Sequence, residues 1–111
     1  MPTIFGKIIK KELPAEVVFE NDHILAFYDI HPVAPVHILI LPKKEIQNLQ
    51  SAQKEDLPLL AEILEVVQQL ARQYKIEDGY RLVVNNGANA GQTIDHLHFH
   101  LIGGRPLREL V

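Results

Sequence analysis

Residues 96–102 read His-Leu-His-Phe-His-Leu-Ile, an alternation that constrains the fold more than any other stretch of the chain. Successive side chains on a β-strand point to opposite faces. On a strand, His96, His98 and His100 therefore share one face, while Leu97, Phe99 and Leu101 share the other. The apolar face needs a covering layer, and the chain supplies one. Leu57, Leu60, Ile63, Leu64, Val67, Leu70, Ala71 and Tyr74 recur at spacings of three and four, which predicts a long amphipathic helix with one broad apolar side. Asp56 is the expected cap. It places Pro58 in the first turn, where a missing N–H matters little.

Four further strands fit the remaining pattern. Residues 16–19 and 24–28 form an antiparallel pair around the turn formers Asn21 and Asp22. Val36 to Leu41 is a third strand, stopped by Pro42, and Tyr80 to Asn85 a fourth. Asp95 to Ile102 is the fifth and carries the histidines. Thr3 can cap a short helix through Lys10 with Ile4, Ile8 and Phe5 inward, and Lys43 to Leu49 leaves room for another. The 111 residues thus predict one α+β domain spanning 1–111. Its five-stranded, mainly antiparallel sheet packs one long helix and one or two short ones. The strands are more apolar than a water-facing sheet needs, so a second covering surface is expected.

Composition narrows the function. Eleven Lys and Arg against fourteen Asp and Glu give a net charge of -3, with no basic stripe for a nucleic-acid backbone. Absence of cysteine excludes disulfides, thiolate chemistry and cysteine-based zinc sites. The longest apolar run, residues 38–42, is too short to span a membrane, and the first residues lack an export pattern. A cytoplasmic protein is expected, with neither nucleic acid nor membrane as a partner.

Three imidazoles in a row serve a purely structural role poorly, because histidine is costly to bury without partners. Metal binding is one reading. The outer two backbones lie about 13 Å apart, so three ligands on one straight strand converge badly; a His-x-His pair with a remote residue such as His37 is easier to build. The other reading is covalent catalysis by one neutral imidazole whose second nitrogen is held by a hydrogen bond. Spacing alone leaves the two level. The preceding segment favours catalysis: Gly87, Gly91, Gln92 and Thr93 resemble a phosphate cradle of backbone N–H groups and a hydroxyl.

Beyond the histidine strand, five blocks stand out: residues 4–9 (Ile-Phe-Gly-Lys-Ile-Ile), 25–30 (Leu-Ala-Phe-Tyr-Asp-Ile), 34–37 (Ala-Pro-Val-His), 80–85 (Tyr-Arg-Leu-Val-Val-Asn) and Gly103-Gly104-Arg105. With the His-x-His-x-His motif they closely resemble the histidine triad (HIT) family over nearly the whole chain. Within it they resemble the branch of histidine triad nucleotide-binding proteins, which are purine nucleoside phosphoramidases. The resemblance implies cleavage of the P–N bond of purine nucleoside 5′-phosphoramidates through a nucleotidyl-histidine, releasing nucleoside monophosphate. Hydrolysis of dinucleoside polyphosphates, or nucleotide binding with little turnover, is the alternative.

The same resemblance implies that His98 attacks the α-phosphorus, that His37 and His100 position phosphate and nucleophile, and that His96 supports His98, in part through its carbonyl. Asp29 matches the ribose-hydroxyl acceptor. Asn85 and Thr93 match contacts on the phosphate or leaving-group side, with backbone donors near Gly91 and Gln92. Phe5, Ile8, Phe27 and Leu39 fall where a purine would be sandwiched, and Phe5 and Ile30 are expected to be exposed enough to reach it. No metal and no cofactor is expected. His31 stands where relatives carry a small polar residue and reads as surface variation. The resemblance also implies a homodimer with one continuous ten-stranded sheet, in keeping with more apolar surface than a monomer of this size covers.

Overall fold

The computed structural model describes residues 3–109. The chain forms a short helix α1 (Ile4–Ile9), strands β1 (Val17–Glu20), β2 (Ile24–Tyr28) and β3 (Val36–Pro42), a 3-10 turn at Lys54–Asp56, a long helix α2 (Leu57–Gln73), and strands β4 (Tyr80–Val83) and β5 (Phe99–Gly103). The sheet is antiparallel throughout, in the order β1-β2-β3-β5-β4. A second 3-10 turn, Ala88–Ala90, lies in the β4–β5 connection.

Alternation along β2 and β3 divides the core between the two faces of the sheet. Ile24, Ala26, Ile38 and Ile40 join Leu97, Phe99 and Leu101 against Ile63, Val66, Val67, Leu70 and Ala71 of α2. Leu25, Phe27, Leu39 and Leu41 point the other way and pack on Phe5 and Ile8 of α1. This is the second covering surface that apolar strands require. Each fully buried leucine or isoleucine contributes about 1.5–3 kcal/mol, so β3, buried along its whole length, anchors both layers. Thr3 caps α1 by accepting a 3.0 Å hydrogen bond from the Gly6 N–H. Ile4, expected inward, is 55% exposed.

Several boundaries differ from those expected. No helix forms over residues 43–49. Asn48 and Ser51 bond one another's backbone N–H groups there, an arrangement that competes with helix. The long helix starts where expected, but the Asp56 carboxylate does not cap it. Asp56 accepts from the Gln53 N–H and pairs with Lys44. The histidine strand enters the ladder only at Phe99, because residues 96–98 turn toward the end of β3. The Leu97 N–H donates to the Ile46 carbonyl, and the His96 ring bonds the Pro42 carbonyl. With no partner strand beside residues 84 and 85, β4 ends at Val83 rather than Asn85.

Candidate active site

His98 and His100 open on the face of the sheet covered by α1, beside His37 of β3, which lies opposite Ile102 in the β3–β5 ladder. The cavity there measures about 530 Å³. Phe5, Ile8, Phe27 and Leu39 form much of its apolar wall, and Asp29, His98, His100 and Thr93 supply its polar groups.

Hydrogen bonds settle which nitrogens carry protons. His98 Nδ1 lies 2.7 Å from the His96 carbonyl oxygen, which only accepts, so Nδ1 is the protonated nitrogen. Nε2 then carries the lone pair. It makes no hydrogen bond to a described residue, yet no buried side-chain nitrogen or oxygen among them lacks a partner, so Nε2 opens on the cavity. Phe5 meets the same ring edge-on at 4.8 Å between centroids.

A second chain of bonds runs through the neighbouring histidines. The Val33 N–H donates to His37 Nδ1 at 3.1 Å, which places the His37 proton on Nε2. That nitrogen lies 3.0 Å from His100 Nδ1 and 3.4 Å from a carboxylate oxygen of Asp29. His100 Nδ1 therefore accepts, and a neutral His100 carries its proton on Nε2. Charge supports neutrality. Burial pushes His98 and His37 below the usual imidazole value of 6.5. Burial and the neighbouring rings of His98 and His37 lower His100 to about 4, against the opposing pull of Asp29. Two neutral imidazoles thus present opposite characters to one cavity: a bare nitrogen on His98 and an N–H on His100.

Asp29, His37 and His100 each offer a ligand atom within 4.8 Å of the others, the spacing of a metal site. The tautomer argues against that use. A cation bound at His37 Nε2 needs the lone pair there, which moves the proton to Nδ1, against the Val33 N–H already pointing at it.

The other expected residues divide in two. Ile30, 85% exposed, and His31 line the cavity rim. The backbone N–H of His31 donates to an Asp29 oxygen at 2.8 Å, a bond that does not depend on the histidine side chain, which stays exposed at the rim. Phe5, expected to be accessible, is only 5% exposed and serves as wall. His96 is buried beneath the site. Asn85, Gly91 and Gln92 do not line the cavity. The N–H groups of Gly91 and Gln92 already bond the Ala88 and Gly87 carbonyls, so they are not free cradle donors. The Gln92 side chain straps the loop by accepting from the Gly87 N–H and donating to the Gln47 and Ile94 carbonyls. Thr93 is what remains of the cradle, its hydroxyl unbonded to any described residue. The Val33 amide is the site group that sequence reasoning missed, for no side-chain motif marks a backbone donor.

An antiparallel sheet with one long helix behind it and a cluster of neutral histidines in front defines an α+β scaffold for imidazole chemistry. The HIT domain model matches residues 10–107, and the chain belongs to the HIT family. An uncharacterized HIT-like protein of Synechocystis sp. is 51% identical over 104 residues, covering 94% of this chain and 91% of that protein. A HIT family hydrolase from Legionella pneumophila superposes with a TM-score of 0.92 at 46% identity, covering 95% of each chain. A histidine triad nucleotide-binding protein from Candida albicans gives 0.82 at 34% identity, over 98% of this chain and 85% of that one. Among the described residues, no helix is long and apolar enough to cross a membrane.

Proposed function

We propose that the chain hydrolyses purine nucleoside 5′-phosphoramidates. The observation that carries this reading is the His98 ring, held at Nδ1 by the His96 carbonyl with Nε2 open to a cavity that also contains Asp29. His98 Nε2 attacks the α-phosphorus while the P–N bond breaks, and its electron pair leaves with the amine as that nitrogen takes a proton. Water then displaces the nucleotide from His98, yielding nucleoside monophosphate and free imidazole. His100 Nε2–H donates to a phosphate oxygen or to the departing group. His37 holds His100, and Thr93 adds a hydroxyl. Phosphoryl transfer depends mainly on such positioning and on charge stabilisation. The purine lies along the apolar wall with Ile30 at the rim.

Relatives described as hydrolases and as a nucleotide-binding protein support the class, and the cavity has the volume of a single small-ligand site. The deciding measurement compares kcat/KM for adenosine and guanosine phosphoramidates with that for diadenosine polyphosphates on one preparation. The phosphoramidates are expected to be preferred. A tenfold preference for a diadenosine polyphosphate reassigns the substrate while keeping His98, and no turnover of either class leaves a nucleotide-binding protein. Prolonged chelation is expected to leave phosphoramidate turnover unchanged. Loss of activity restored by stoichiometric zinc revives a metal at Asp29, His37 and His100.

We also propose a homodimer. Among the described residues β4 is paired on one side only, with Tyr80 37% exposed at its start, and α2 exposes Leu57 and Leu64. An edge strand with no proline and a single charge, Arg81, is open to pairing with a second copy. Light scattering at micromolar concentration is expected to give about twice the 12.6 kDa chain mass; a mass near 12.6 kDa contradicts the dimer.

A further inference from the structure

We propose that Arg105, which does not line the cavity, is a positioning residue: it holds the proline loop so that the Val33 amide keeps His37, and through it His100, in one tautomer. The inference deepens the proposed function and rests on it, adding a residue that touches no substrate.

The loop over residues 30–35 has little apolar burial to fix it. Ile30, His31, Pro32, Val33 and Pro35 are all exposed, and only Ala34 is buried. Proline restricts φ at positions 32 and 35 but does not by itself aim the amide between them. Hydrogen bonds do. The Arg105 guanidinium donates through Nη2 to the Val33 carbonyl at 2.7 Å, while the Val33 N–H donates to His37 Nδ1 at 3.1 Å. Both peptide groups flanking the Val33 Cα are therefore tied, one to the end of β5 and the other to a histidine of the site. A 3.1 Å bond from Nη1 to the Pro106 carbonyl orients the guanidinium.

Backbone packing brings the two segments together. Val36 pairs with Gly103 at the end of the β3–β5 ladder. Gly104 follows with φ +97°, and a Cβ there would lie 3.0 Å from Pro35 Cβ and 3.4 Å from the Val36 nitrogen. Glycine thus permits both the backbone conformation and the close approach that carries Arg105 to the loop.

The tautomer decides what His100 offers. With the Val33 N–H on Nδ1, His37 must donate from Nε2, His100 must accept at Nδ1, and His100 Nε2 keeps its proton. Release of the loop makes the other neutral tautomer of His37 available. Its Nε2 then becomes the acceptor, His100 must donate from Nδ1, and His100 Nε2 is left with a lone pair. A lone pair repels the phosphate oxygen or leaving group that the N–H assists. Arg105 therefore acts on the rate through the direction of one hydrogen bond, with no contact to the nucleotide.

Tautomers can be read without substrate from nitrogen–proton correlation spectra of imidazole-labelled protein. In the unmodified protein, Nδ1 of both His37 and His100 is expected to be unprotonated. Arg105→Met is expected to give mixed tautomers at both rings and to lower kcat on adenosine phosphoramidate about tenfold with KM nearly unchanged. Arg105→Lys, which retains a cationic donor, restores most of kcat. Gly104→Ala, which drives a methyl group against Pro35, produces the same mixed tautomers as Arg105→Met. A proton on His37 Nδ1 in the unmodified protein overturns the proposal. So does an Arg105→Met protein with unchanged tautomers, whatever its kcat. Because the spectra need no substrate, they judge Arg105 even if phosphoramidates are not turned over, a result that counts against the proposed function instead.

Discussion

Replacement of His98 by alanine or asparagine is expected to leave a folded protein whose phosphoramidate turnover is lower by several orders of magnitude. No other histidine of the buried cluster can take its place. The His96 ring is buried and bonded to the Pro42 carbonyl, His37 Nε2 donates toward His100, and His100 uses Nδ1 to accept from His37. Asparagine is the sharper variant, since it keeps a polar group against Phe5 and opens a smaller void. Folding is checked by circular dichroism. A covalent nucleotide trapped on any other residue removes the assignment. The same chemistry fixes the acid limb of the rate. Attack needs neutral His98, and the unperturbed ring alone suggests a fall around pH 6.5. Burial moves His98 downward and His100 to about 4, so the loss of rate is expected below pH 6.5 as acidity approaches the lowered values. Stability changes in the same window. Unfolded imidazoles bind protons near 6.5 while the buried ones resist, so stability is fullest above 6.5 and declines as pH falls. Ellipticity recorded at each pH separates lost chemistry from lost fold. A rate midpoint at or above 6.5 contradicts control by a buried neutral His98.

What could be read from the chain in advance followed from periodicity. Period two put His96, His98 and His100 opposite Leu97, Phe99 and Leu101, and that division holds even where residues 96–98 leave the ladder, because Leu97 is still drawn into the helix-facing core. The three-four spacing of residues 57–74 located α2 to within a residue. Interactions between distant segments were not legible. Nothing local to Gln92 indicates that its amide spans from Gly87 to Gln47, closing a loop that otherwise resembles an anion cradle. Nothing in residues 43–49 indicates that the Ile46 carbonyl is taken by Leu97. The tautomers of His37 and His100 depend on a backbone amide, which every residue but proline possesses, so no residue type could mark it. Arg105 was visible in the Gly-Gly-Arg block, but only the folded loop gives it a partner.

Asp29 provides the second large effect, on the sugar. The wild-type protein is expected to prefer a ribonucleoside phosphoramidate over its 2′-deoxy counterpart, and Asp29→Ala is expected to lose most of that preference. Asp29 lies in the cavity wall at the end of β2, with its side chain 18% exposed. One oxygen accepts from the His31 N–H at 2.8 Å, and the other lies 3.4 Å from His37 Nε2. These contacts fix the orientation of the carboxylate without exhausting it, since an ionised carboxylate has about four acceptor positions. Two adjacent hydroxyls of a ribose suit the remainder. Loss of one hydrogen bond to a charged group costs about 1.5–3 kcal/mol, equivalent to roughly 10- to 150-fold in kcat/KM. Asp29→Ala also removes the nearest negative charge from His37 and His100, so its absolute rate will fall with either sugar. The ratio of ribo to deoxy kcat/KM, measured within each protein, cancels that shared loss and isolates the sugar contact. A wild-type ratio near one removes Asp29 from ribose recognition. A large ratio that survives in Asp29→Ala transfers the recognition to another group on the cavity wall.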